Sequence, residues 1–348
     1  MRRIVPGAVL LAAMFAAVGS AQSTGPYKVL KIDKVGGDGG FDYVYADVAG
    51  RRLYIPRSGQ NPRVMVYNLD TLAPVTEIPK TGGHGVAVDH KSGHGFASAS
   101  PIPMFDLKTL QVIKTLEVQG GPDGIHFDPF NERIWVYSHR PPNATVIDGK
   151  AGTVVGTVDL GGGPEEAVSD GKGKIYVDLE DKNKIAVVDA KTLTKTGEFD
   201  VASKCGGPGG LAFDAKHHIL FATCHDPATM TIVSSDTGKI LDALPIGQGT
   251  DGAAFNPATM EAFSSNRDGT LTVIRENSPT SFTVEQNVKT MAGAKTLTLD
   301  TKTNRILLIS AEFGPPAAPS AGETARGGRG RGRPPMVPDS FSIIVVGK

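Results

Sequence analysis

Seven positions about forty residues apart carry side chains suited to chemistry: Asp42, His84, Asp123, Glu165, Gly209, Asp251 and Lys295. Four are carboxylates, one is an imidazole, one is an amine, and the glycine leaves a gap. Carboxylates gathered at one place repel each other and hold protons more tightly unless a cation or a donor compensates. Ca²⁺ takes several oxygen ligands, so Asp123, Glu165 and Asp251 are expected to hold Ca²⁺ or another divalent metal. His84 or Glu165 is placed to act as a general base, and Lys295 to stabilise a developing anion. Most of the set lies in glycine-rich turns such as GGHG around His84 and GTDG around Asp251. Small neighbours there let a ligand approach the backbone closely. The plainer role for such an aspartate is to bond the backbone amides of its own turn.

A second layer is expected on the same face: Arg57, His139, Arg140, Glu180, Asp181, His225, Asp226, Arg267 and Glu312. Arginine grips carboxylates and phosphates bidentately. Arg57, His139 and Arg267 are therefore expected to join the ring in binding a small polar ligand. The plainer role is a solvated loop tip or an ion pair with a neighbouring element. Cys205 and Cys224 are the chain's two cysteines. Their places on two antiparallel strands joined by a DAKHH turn suggest a disulfide; a reduced pair binding metal with His225 is the alternative.

The elements that position these residues follow from a repeat. Each unit has a Gly-rich turn, an apolar strand ending in Asp, a polar turn and a second apolar strand, as in GPDGIHFDPFNERIWVYS from Gly121 and GPGGLAFDAKHHILFATC from Gly207. The closing residues are Asp47, Asp89, Asp128, Asp170, Asp214, Asn256 and Asp300, spaced by 42, 39, 42, 44, 42 and 44 residues. A four-stranded propeller blade needs about 40–45 residues, so the fold class is all-β, a seven-bladed β-propeller. A third and a fourth strand follow in each unit, with the third degenerate in unit six and displaced in unit seven. Unit seven lacks a fourth strand, and YKVLKIDKV from Tyr27 is expected to supply it, closing the last blade with the N-terminal strand.

The IYVD, LYIP and VVDAKTL segments, the repeat length and the N-terminal leader together resemble the YncE-like family of YVTN-repeat propellers. The resemblance spans nearly the whole chain after the leader. It implies a periplasmic or secreted propeller, and it carries over no catalytic residue, because the family is named for its repeat.

The ends and one insertion differ in kind. Arg2 and Arg3, an apolar run from Ile4 to Val18 and the small residues Gly19-Ser20-Ala21 read as a signal peptide over 1–21, leaving a propeller over 22–348. The run is too short to span a bilayer, and no later segment has the length and apolarity to do so. The insertion 314–338 is rich in Pro, Gly and Arg, with Arg326, Arg329, Arg331 and Arg333, and is expected to be a disordered loop. Lysine plus arginine and aspartate plus glutamate both number 36, so the whole chain has no charge bias toward nucleic acid.

Three readings remain open from sequence. One is an exported propeller binding a small polar ligand or a protein partner at the channel mouth. Another is a metal-dependent hydrolase resembling propeller lactonases, a fold analogy only. The third is a binder of nucleic acid or another anionic polymer through the Arg-Gly loop. GxSxG, HExxH, Walker and CxxCH motifs are absent.

Overall fold

A computed structural model describes residues 25–315 and 334–348. The proposed signal peptide and the Arg-Gly run from Arg326 to Arg333 lie outside these residues. The chain forms seven four-stranded antiparallel sheets. Blade 1 runs from Tyr45–Asp47 to Pro74–Pro79, blade 2 from Val86–Asp89 to Val112–Leu116, and blade 3 from Ile125–Asp128 to Thr153–Val158. Blade 4 runs from Pro164–Ser169 to Thr194–Asp200, blade 5 from Gly206–Asp214 to Ile240–Pro245, and blade 6 from Thr250–Asn256 to Ser281–Lys289. Blade 7 contains Leu297–Asp300, Arg305–Ser310, Ser342–Gly347 and, as its outer strand, Lys28–Lys34. The chain is a seven-bladed β-propeller.

Burial explains the strand sequences. The second and third strands of a blade are covered on both faces by neighbouring blades and read as unbroken apolar runs. Arg305–Ser310 (RILLIS) is buried at every position but its first. Outer strands face solvent and are polar or mixed, as in Val112–Leu116, where only the last residue is buried. Seven apolar clusters form, one at each interface between adjacent blades. Trp135 and Tyr137 of blade 3 pack with Ile175 and Val177 of blade 4; Phe221 of blade 5 stacks on Phe255 of blade 6.

In every blade a β-bulge interrupts the pairing of the third and outer strands. Such bulges twist an exposed edge and discourage further strand addition. Unit six differs from its expected form: its third strand, Thr270–Ser278, is nine residues long and pairs on both sides from Thr270 to Arg275. A tight hairpin with Ser278 opposite Ser281 replaces the usual Asp-x-x-Thr turn. In unit seven the third strand is displaced by the insertion. The insertion's ends are joined by a bridge between Phe313 and Met336 and by Gly314 N–H to the Pro335 carbonyl at 2.9 Å.

The recurrent aspartates have a structural function. Asp89, Asp170 and Asp300 each accept the N–H two residues on, closing their turns. Several also latch blades together: Asp47 to His90 at 2.6 Å, Asp128 to Ser169 at 2.6 Å, Asn256 to Asn304 at 2.9 Å and Asp300 to Arg51 at 2.8 Å.

Cys205 and Cys224 form a disulfide with Cα atoms 5.2 Å apart, tying the start of blade 5's inner strand to the end of the next strand. Replacing both by serine should lower stability by about 3 kcal/mol, the loss typical of a cross-link closing a loop of this size. Urea unfolding of the oxidised protein and the double variant checks this.

Candidate metal and ligand site at the channel mouth

Inner strands enter from the mouth and second strands return to it, so residues from both converge there. Starting at blade 1, the His84 Nδ1 lies 2.8 Å from Asp42 and 3.2 Å from Asp123. The His139 Nε2 lies 3.6 Å from Asp123 and 3.0 Å from Glu165. Lys295 pairs with Asp251 and, at 3.1 Å, with Asp42, completing the arc from the other side. The Thr296 hydroxyl donates to the Asp42 carbonyl at 2.6 Å and fixes blade 7 against blade 1.

The empty seventh position is occupied from elsewhere. A Cβ on Gly209 would lie 2.9 Å from the His225 Nε2 and 3.7 Å from Asp251, so the glycine makes room for an imidazole from the next strand. The same Nε2 lies 3.6 Å from Glu180.

These groups tune each other. A hydrogen bond to Asp42 raises His84 above the ordinary imidazole value, and Asp123 adds to this. The bond to Glu165 pushes His139 up to about 9. Burial raises Asp123, with Asp42 and Glu165 adding repulsion. Burial also favours the neutral acid at Asp42, but His84 and Lys295 outweigh it and hold that carboxyl low. Burial, reinforced by the charges of Arg267 and Lys295, lowers His225.

Beneath the ring the channel widens into a cavity of about 330 Å³ walled by inner-strand residues. A carboxyl and an imidazole in it are absent from the expected set. Glu166 accepts N–H bonds from Leu211 at 2.9 Å and Ala253 at 3.4 Å, and burial pushes it up to about 8. His126 stacks on Tyr137 with its Nε2 unpartnered, and burial pushes it down to about 3. The repeat did contain a signal for Glu166, which stands where four other units have Gly85, Gly124, Gly210 and Gly252.

The structure brings together Asp42, His84, Asp123, Glu165, Asp251 and Lys295, with His139 bridging two of them. The expected ligand trio changes, because Asp251 is neutralised by Lys295 and does not join Asp123 and Glu165. Two donor sets converge instead, Asp42–His84–Asp123 and Asp123–His139–Glu165, sharing one carboxylate. Arg57 is also differently used. It is fully buried over the Phe341 ring at 3.8 Å, and it donates to the Gly37 and Gly39 carbonyls, leaving it no exposed surface for a ligand. Arg267 is exposed beside Gly249.

No family model and no curated protein matches the chain. Solved structures do match. RRP9 WD40 repeats align with a TM-score of 0.70 at 10% identity, covering 94% of this chain and 99% of that one. A chain of the Mitotic Checkpoint Complex aligns with a TM-score of 0.66 at 11% identity over 88% of this chain and 95% of that one. A chain of Kuenenia stuttgartiensis hydrazine synthase aligns with a TM-score of 0.66 at 13% identity over 85% and 96%. At these identities the likeness establishes the propeller fold, which is compatible with partner binding. Among the described residues, no helix is long and apolar enough to cross a membrane.

Proposed function

We propose that this chain is an exported, YncE-like propeller that binds a divalent transition-metal ion at its channel mouth and a small polar ligand over it. The observation carrying this reading is the position of Asp123 between two imidazoles, each of which also reaches a second carboxylate. Mixed nitrogen and oxygen donors favour Zn²⁺, Mn²⁺ or Fe²⁺ over the all-oxygen shell preferred by Ca²⁺, which shifts the expected metal. Without metal, protons on His84 and His139 balance the carboxylates; a metal ion would take their place. Lys295, Arg267 and the exposed edges of the imidazoles remain to orient an anionic or hydroxyl-bearing ligand.

Metal analysis of purified protein, with melting before and after chelation, tests the reading. It expects stoichiometric metal and a chelator-induced fall in Tm. Protein with no metal, no Zn²⁺ uptake and an unchanged Tm would refute it.

The imidazoles set the pH dependence. His139 is raised to about 9, so its ion pair stabilises the metal-free fold fully below the unfolded value of about 6.5 and is lost as pH rises through about 9. Metal affinity moves oppositely, since the protons compete with the ion. Calorimetric titration with Zn²⁺ should show tighter binding at pH 8 than at pH 6, with net proton release.

A further inference from the structure

The opposite face of the propeller holds a second cluster, between blades 5 and 6. Asp214 ends blade 5's inner strand, His217 lies in the turn after it, and Glu276 lies in blade 6's third strand. The His217 Nδ1 is 2.9 Å from the Asp214 Oδ2 and 2.5 Å from the Glu276 Oε1. Both carboxylates are buried, with side chains 1% and 0% exposed, while the imidazole is 21% exposed.

This interface reverses the pattern of four others. Asp47, Asp128, Asn256 and Asp300 meet a donor from the next blade at the corresponding place: His90, Ser169, Asn304 and Arg51. Asp214 meets another carboxylate, Glu276, close enough to repel it. Among the described residues, neither acid has a lysine or arginine in ion-pair range. Burial raises Glu276, and its Oε2 is buried with no hydrogen-bond partner. Asp214 also accepts the Lys216 and His217 N–H groups at 2.9 and 3.2 Å, but one imidazole supplies at most one positive charge for two buried acids, and uncompensated charge is expensive there.

We infer that Asp214, His217 and Glu276 form a binding site for a divalent cation of the zinc class, which fastens blade 5 to blade 6. The three ligand atoms lie within 4.8 Å of one another. Imidazole nitrogen and carboxylate oxygen are both zinc ligands, and the exposed side of His217 admits water as a further ligand. The hairpin of blade 5 would then be fastened at both ends, by the Cys205–Cys224 disulfide near the mouth and by the ion below.

The test uses the full mature chain, stripped with chelator and titrated with Zn²⁺ alone, and compares it with His217→Ala and Glu276→Gln. The inference expects each variant to bind one equivalent fewer than its parent, whatever the mouth holds. It also expects Zn²⁺ at a hundredfold excess over Kd to raise the parent's Tm by about 5 °C more than the variants'. Cooperatively melting variants that bind as many ions as the parent would overturn it. Asp123→Asn separates the two faces: with the mouth disabled, one equivalent should remain and disappear on adding His217→Ala. Its absence from folded Asp123→Asn protein would overturn the inference independently of the mouth.

Discussion

Asp123→Asn is expected to weaken metal binding at the channel mouth by more than about a hundredfold while leaving the fold cooperative. The carboxylate is shared by two donor sets, so its loss removes a ligand and a negative charge from both. Asparagine keeps the volume but offers a neutral oxygen, a poor substitute for a carboxylate beside two imidazoles. Outer-sphere changes alone typically cost 10–100-fold in affinity, and a bridging ligand should cost more. The apo fold should tolerate the change, because burial already disfavours the charged acid there. Zn²⁺ titration with circular dichroism melting checks both halves; unchanged affinity would remove Asp123 from the site.

A second large effect is expected at the ring closure. Deleting residues 25–34 should lower Tm by about 7 °C or more, or leave the chain insoluble. That segment supplies blade 7's outer strand, paired from Lys28 opposite Gly347 to Lys34 opposite Ser342. Tyr27 exchanges bonds with Gln286 at 3.0 and 2.8 Å, packs edge-on against Phe263 and donates to buried Glu261. Glu261 also holds Arg275 and Lys348, so the segment entering the N-terminal strand, the last residue of blade 7 and blade 6 meet on one carboxylate. Without this strand, Ser342–Gly347 (SIIVVG) becomes an open apolar edge, a template for aggregation. A loss of about 5 kcal/mol corresponds to about 7 °C in a domain of this size. Tyr27→Ala alone should cost about 3 kcal/mol, the lower end for a buried aromatic. Scanning calorimetry of both variants decides.

The propeller was legible because the repeat period and the turn-closing aspartates are local features. Seven anchors at regular spacing fix the blade count, and counting five residues back from each locates the inner ring. What the period could not show is which second-strand residue reaches which ring member. His139 bridges Asp123 and Glu165, and His225 fills the space at Gly209, through cross-strand placements that depend on bulges and loop lengths. Arg57 was assigned to the mouth by position alone, whereas two aromatic rings, Phe41 and Phe341, cover it. The opposition of Asp214 and Glu276 joins residues sixty-two positions apart in different strands, with no motif between them. The extra outer-strand residue at the bulge is Leu30, Val75, Ile113, Val155, Thr196, Leu241 or Glu285, so no single residue type marks it in the sequence.

The most direct measurement is an anomalous-scattering map from crystals of the protein grown with Zn²⁺. The account predicts a peak at the mouth between Asp123 and the imidazoles of His84 and His139, with Asp251 still held by Lys295. A mouth without a peak, its histidines still bridging the carboxylates, would contradict it.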